Sequence, residues 1–222
     1  MVAFKSERSC YLLRVTSDEL SPSKGDETRQ RIIAHALRLA SSVGLEAVTI
    51  GELASDLGLS KSGLFAHFKS KERLQLDILD AAADHFRTRI FVPALSVPRG
   101  EARLEAVFEH WLCWVNSPEL PGGCIFLAGA LEWDDRQGAV RERLVSWFEA
   151  LTQGLEKAAR LAVECGDFRA DLDVAQFAYE MQAAVMKYHL DVRLLRHERA
   201  GRHARQAWQR LRNDARVVRP NP

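Results

Sequence analysis

Residues 49–68 read TIGELASDLGLSKSGLFAHF, and this stretch leaves the chain few local choices. TIGE has the form of a capping box, in which a threonine hydroxyl and a glutamate carboxylate each accept from a backbone N–H that lacks a partner at a helix start. The spacing predicts a helix from near Ile50 through Leu53, Ala54 and Leu57. Gly58, Leu59 and Ser60 then supply a tight turn and an N-cap, and a short helix follows over Lys61 to Phe68. Leu64 and Phe68, four residues apart, share the back of that helix, while Ser60, Lys61, Ser62 and Gly63 form a small polar front. A helix that enters the major groove of DNA needs this build: short, apolar behind, and small and polar where its N-terminal residues near base edges. A solvated helical hairpin inside an ordinary bundle has the same spacing.

The flanks extend the helical pattern. From Thr28, the residues Ile32, Ile33, Ala36, Leu37, Leu39 and Ala40 recur at helical spacing, and Gly44 stands where a left-handed C-cap would end the helix. After Ser70, another N-cap candidate, Leu74, Ile78, Leu79 and Ala82 predict a fourth helix that lasts until FVPALSVPRG, where two prolines stop it. Further helical stretches are expected at about 101–116, 124–133, 139–164, 173–196 and 200–213. No alternating strand pattern and no internal repeat occurs, so the expected class is all-α. The domains read as a flexible tail over 1–25, a helix-turn-helix DNA-binding domain over 26–75, a helical ligand-binding and dimerisation domain over 76–213, and a tail over 214–222.

Composition narrows the function classes. A net charge of +1 does not make a polycation, so any nucleic-acid site is local and a non-specific DNA binder is disfavoured. Cys10, Cys113, Cys124 and Cys165 lie far apart, with no CxxC pair and no clustered histidines, which argues against a zinc site or a disulfide-stapled domain. No metal and no cofactor are expected. The N-terminal CYLLRV is too short for a signal-peptide core, no segment approaches the length of a membrane span, and a cytoplasmic protein is expected. GxSxG, GxxxxGK, HExxH and paired Glu-x-x-His motifs are all missing, so a helical small-molecule-binding enzyme remains only as an alternative reading.

The run ALRLASSVGLEAVTIGELASDLGLSKSGLFAHFKSKERL resembles the N-terminal domain of the TetR family of transcriptional regulators. The resemblance implies an all-helical homodimer, most simply a repressor, whose N-terminal domains read a palindromic double-stranded DNA operator while the C-terminal domain binds a small effector and carries the dimer face. It implies that Thr49 caps a phosphate-binding helix start, that the region of Lys71 does the same, and that Ser60, Lys61, Ser62 and Gly63 approach bases. Phe65 stands where the family commonly has a phosphate-bonding tyrosine, so it keeps the packing and loses the hydroxyl. His67 matches a position often filled by a phosphate-contacting histidine. Gly51 replaces an arginine common in relatives, which leaves Lys61 as the candidate for base readout, either at guanine O6 or N7 or at a phosphate.

The C-terminal half is less specific. FEHWLCWV puts Phe108, Trp111, Leu112 and Val115 on one side of a helix while Val107 and Trp114 widen the apolar face, so that helix is buried on most sides. Trp111, Trp114, Phe126, Met181 and Met186 are candidates to line a pocket for an apolar or aromatic effector, with plain core packing as the other reading of each. Cys124, after Pro121, Gly122 and Gly123, is expected at a helix N-terminus: either an activated, redox-sensitive thiol or a small buried hydrophobe. Arginines at 193, 196, 199, 202 and 205 recur every three residues and read as a solvated face, with Ala204, Ala207, Trp208 and Leu211 packing inward.

Overall fold

A computed structural model describes residues 24–217. Helix α1 (Lys24–Val43) buries Ile32, Ile33, Ala36, Leu37 and Ala40, and ends at Gly44, whose φ of +92° an L side chain rarely adopts. Helices α2 (Ile50–Asp56) and α3 (Lys61–Phe68) begin at the expected caps and contribute Leu53, Ala54, Leu64 and Phe68 to the same small core. Helix α4 (Lys71–Phe86), capped by Ser70, lies against α1 through its first half.

The end of α4 departs from a regular helix. Its chain continues through a π-helical turn (Arg87–Phe91) into the short α5 (Val92–Ala94). In a regular α-helix, Pro93 would lack a donor and its ring would press on the carbonyl four residues back. The wider π turn eases that conflict and lets Ile90 stay buried. Next come α6 (Glu101–Val115), α7 (Ile125–Trp133), α8 (Ala139–Glu164), α9 (Val174–Arg193) and α10 (Ala200–Ala215). Among the described residues the only β pairing is an isolated antiparallel bridge between Phe168 and Arg216.

Residues 1–23 of the expected N-terminal tail lie outside the described residues, and α1 already begins at Lys24. Residues 214–217 are no tail: Arg169 N donates to Ala215 O at 2.8 Å, and Arg216 makes charged hydrogen bonds to Glu101. The arginine series also fails as one helix face, because α9 ends at Arg193, Arg196 sits in a turn at φ +49°, and α10 starts only at Ala200. Of the residues expected to pack inward there, Ala204 and Trp208 are buried and Ala207 is exposed.

Phe86, at the last turn of α4, organises the larger core. Its ring meets Trp111, Trp114 and Trp147 edge-on at 5.6, 5.3 and 5.1 Å between centroids, and Phe126 at 6.4 Å. Phe126 and Trp147 in turn stack at 3.6 Å. Such edge-to-face pairs add about 0.5–1.5 kcal/mol each beyond buried area. Phe86→Ala should therefore lower stability by about 3–5 kcal/mol in urea unfolding followed by tryptophan emission. A loss below ~1 kcal/mol would mean that the ring cluster does not depend on α4.

Candidate nucleic-acid interface and effector cavities

Local hydrogen bonds set the shape of the α2–α3 unit. Thr49 Oγ1 accepts from Glu52 N at 3.2 Å, as a capping box requires. The reciprocal half differs from expectation: the Glu52 carboxylate accepts from the Thr49 hydroxyl at 2.9 Å. Ser60 Oγ accepts from Gly63 N at 3.1 Å, and Ser70 Oγ from Arg73 N at 3.0 Å. Ser60, Lys61, Ser62, Gly63 and Phe65 are exposed on one side of α3, His67 is half-buried, and Leu64 and Phe68 are fully buried behind. A Cβ on Gly63 would come within 3.0 Å of Ser60 Oγ, so glycine there keeps the cap unhindered. The Lys61 stem crosses onto α2: a Cβ on Gly51 would stand 3.4 Å from its Cε. The lysine of α3 thus covers the spot from which a longer residue 51 would project.

Lys69 and Lys71, on either side of the α4 cap, have different surroundings. Lys69 is exposed at φ +62° and donates its N–H to Phe65 O at 2.7 Å, a strained C-cap for a residue with a Cβ. Lys71 turns inward to the α1–α2 loop, where its ammonium bonds Glu46 O and, at 3.0 Å, Glu46 Oε1. Its ammonium thus already has a carboxylate partner in this structure.

Glu46 is the meeting point of four segments. Gln75 of α4 donates to Leu45 O and to Glu46 Oε2 at 3.3 and 3.1 Å. Arg136, just beyond α7, lies 3.4 Å from Glu46 Oε2, and Glu132 Oε2 of α7 accepts from Glu46 N at 2.9 Å. The same Glu132 carboxylate lies against Gly44, where an added Cβ would collide with Oε1 at 2.3 Å. At the other end of α7, Gly122 N donates to Ser41 Oγ at 3.3 Å, with its Cα so close that a Cβ would overlap Ser41 O. Helix α7 is thus gripped at both ends by the end of α1 and the loop after it.

Among the described C-terminal helices, two cavities flank the stacked Phe126 and Trp147 rings, which line both. The first lies in the seam between α6 and α9, touches Trp111, Cys124, Phe126 and Met186, and has about 20 Å³, room for a water molecule. This is where the effector was expected, and it is too small for one. Trp114 and Met181, also expected there, line neither cavity: Trp114 packs on Phe86 and over His85 at 5.1 Å, and Met181 is fully buried. The second cavity, about 340 Å³, opens between α4 and α8 and is lined by Leu79, Asp80, Asp84, Arg143, Ser146 and Trp147 among others. Only Phe126 of the expected pocket residues belongs to it.

Cys124 does stand at the N-cap of α7. Burial nevertheless pushes its thiol up, outweighing the backbone N–H groups of Leu127 and Phe126 that favour the thiolate. Of the two readings of Cys124, its burial favours the small buried hydrophobe. His189, beside it, is pushed down chiefly by burial, consistent with a neutral ring whose Nε2 accepts from Cys124 N at 3.2 Å.

A family model described as bacterial regulatory proteins, tetR family, matches residues 32–77, and one described as a tetracyclin repressor-like C-terminal domain matches residues 100–208. The HTH-type transcriptional regulator SrpR of Pseudomonas putida is 28% identical over 152 residues, 68% of each chain. The uncharacterised HTH-type regulator YerO of Bacillus subtilis is 47% identical over 51 residues, 23% of this chain and 18% of that relative. A solved TetR transcriptional regulator from Chloroflexus aurantiacus is 27% identical with a TM-score of 0.78, covering 88% of this chain and 99% of that one.

The junction around Glu46 has a pH signature. Hydrogen bonding from Lys71 is the main cause that holds its carboxyl below the ordinary glutamate range, with Gln75 and the Arg136 charge adding to it against a burial penalty. A depressed carboxylate contributes stability above its unfolded pKa and loses it as pH falls through the folded one. Glu46→Gln should therefore destabilise the protein at neutral pH, and the gap from the parent should close as pH drops below about 4. Thermal melts of both proteins across that range check this; a gap independent of pH would assign the loss to packing.

Proposed function

This chain belongs to the TetR family of bacterial regulatory proteins, non-enzymatic DNA-binding transcriptional regulators, and from that premise we propose that it binds a palindromic operator as a homodimer and releases it when a small effector occupies the α4–α8 cavity. The observation that carries the DNA reading is the two-sided build of α3, with Ser60 to Gly63 open to solvent and Leu64 and Phe68 closed behind them. In this reading α3 lies in the major groove. Lys61 reaches a guanine edge or a phosphate, and Ser60 and Ser62 bond bases or backbone oxygens. Phe65 packs against the sugar-phosphate backbone, and His67, Lys69 and the amide end of α4 meet phosphates. Thr49 meets a phosphate once Glu52 releases its hydroxyl. Lys71 serves indirectly by fixing the α1–α2 loop.

The dimer reading rests on α9. Tyr179, Ala183, Leu190 and Leu194 are exposed at helical spacing on the face turned away from the core, an apolar row interrupted by Lys187. A second copy of the chain would cover it and give the two α3 helices the spacing of successive major grooves. No helix among the described residues is long and apolar enough to cross a membrane. A regulator that works on chromosomal DNA belongs in the cytoplasm.

A selection from fragmented genomic DNA with ligand-free protein tests the reading. It should enrich a palindrome whose half-sites lie about 34–36 Å or a multiple apart. Lys61→Ala should weaken binding; if Lys61 reads a base, preference at one position should relax by about 1–3 kcal/mol, whereas loss of a phosphate contact weakens every sequence alike and flattens the salt slope. Absence of any site-specific binding at low salt would remove the regulator reading.

A further inference from the structure

The α4–α8 cavity differs from the seam cavity in carrying charge. Leu79, Ala83 and Ala150 together with the Phe126–Trp147 pair make its apolar floor, while Asp80, Asp84, Arg143 and Ser146 make a polar wall. Arg143 is already engaged, since its guanidinium is ion-paired with Asp80 across the gap and so ties α8 to α4. Asp84, one turn further along α4 and largely exposed, has Arg87 of the following π turn at 3.7 Å, outside the lining. Within the lining, two carboxylates therefore face one guanidinium. An anion entering here would have to pass Asp84 and break Asp80 away from Arg143. A cation meets Asp84, a largely exposed carboxylate whose pairing with Arg87 at 3.7 Å is loose, with aromatic surface beside it for the rest of the molecule.

We propose that the effector is an organic monocation of the tertiary or quaternary ammonium type, with its apolar body on Phe126 and Trp147 and its charged head between Asp84 and Asp80. The proposal rests on the reading of the chain as an effector-released regulator and names the chemistry of that effector. It also assigns the release step. A cation beside Asp80 competes with Arg143 for the carboxylate and loosens the tie between α4 and α8. Helix α4 begins at Ser70 in the DNA-binding unit and carries Gln75, which holds the loop around Glu46, so a shift at Asp80 is felt at the start of the same helix.

The test uses the full chain and three probes of nearly the same size. Benzyltrimethylammonium carries the cation, neopentylbenzene is its neutral carbon isostere, and 3-phenylpropanoate is the anion. Titrations read by calorimetry and by tryptophan emission should show the cation binding more tightly than both others, by about threefold to tenfold at low salt, with the margin shrinking as salt is added. Asp84→Asn should erase most of the margin and leave neopentylbenzene unchanged. Equal binding of the neutral probe, tighter binding of the anion, or a margin that survives in both Asp84→Asn and Asp80→Asn overturns the assignment. Release is measured separately by operator anisotropy. Arg143→Gln should mimic the effector, lowering operator affinity without any probe and keeping the sequence preference, while Arg143→Lys, which keeps the charge, should restore affinity. If Arg143→Gln binds operator as the parent does, competition for Asp80 is wrong. If the parent binds no operator specifically, the regulator reading falls, and the calorimetry still decides the cation preference.

Discussion

Helix α4 has to satisfy two cores at once, and most of the structure follows from that. Its first half buries Leu74 and Ile78 against α1, and its last turn sends Phe86 into the ring cluster of α6, α7 and α8. Between them lies Asp77, only 6% exposed and paired with both Arg29 of α1 and Arg73 one turn back. A carboxylate buried to that degree is costly without its partners, so the pair fixes the angle between α1 and α4 more than it adds net stability. Helix α4 is therefore stiffly joined to the DNA-binding unit and equally stiffly to the C-terminal helices. It has little freedom to bend between them.

Stiffness of that kind makes small displacements informative. Close-packed interiors pass strain along instead of absorbing it. The wall between the two cavities, Phe126 on Trp147, is at once the floor of the larger cavity and part of α7, which is gripped at both ends by the end of α1 and its loop. In the proposed reading, a molecule on that floor would act on the DNA-binding unit along two routes, α4 and α7. Both routes converge on Glu46, whose contacts are polar and exchangeable where the ring contacts are not. Polar contacts of this kind can be broken and remade at little net cost, which suits a junction that must hold two arrangements.

The parts legible in the sequence are those set by neighbours in the chain. Thr49, Ser60 and Ser70 announce the starts of α2, α3 and α4 because an N-cap works within three residues, and the spacing of Leu64 and Phe68 shows which side of α3 is buried. The burial of Phe108, Trp111 and Trp114 on α6 is equally local in origin. What was not legible depends on residues distant in sequence. Nothing around Lys71 shows that Glu46, 25 residues back, takes its ammonium, and nothing around Glu132 shows that it meets a backbone 86 residues away. Trp147 is buried on α8 with Leu144 and Leu151, yet it also walls a cavity, and which residues of α4 lie across from it cannot be read from its neighbours in the chain. The thiol of Cys124 follows the same rule: its helix position is visible in PGGC, and the burial that favours one of its two readings is not.

The central claim is that occupancy of the α4–α8 cavity changes the separation of two α3 helices in a dimer. Pulsed electron-spin distance measurement between nitroxides attached at Ser62→Cys on the two subunits tests it most directly. Cys10, Cys113 and Cys165 would be replaced by serine, and Cys124, buried with a raised thiol, can stay. The account predicts a ligand-free distance distribution compatible with α3 helices about 34–36 Å apart, and a distinct second population when benzyltrimethylammonium saturates the protein. A single unchanged distribution under saturation, or the absence of any intersubunit distance at concentrations where operator binding is specific, would contradict it.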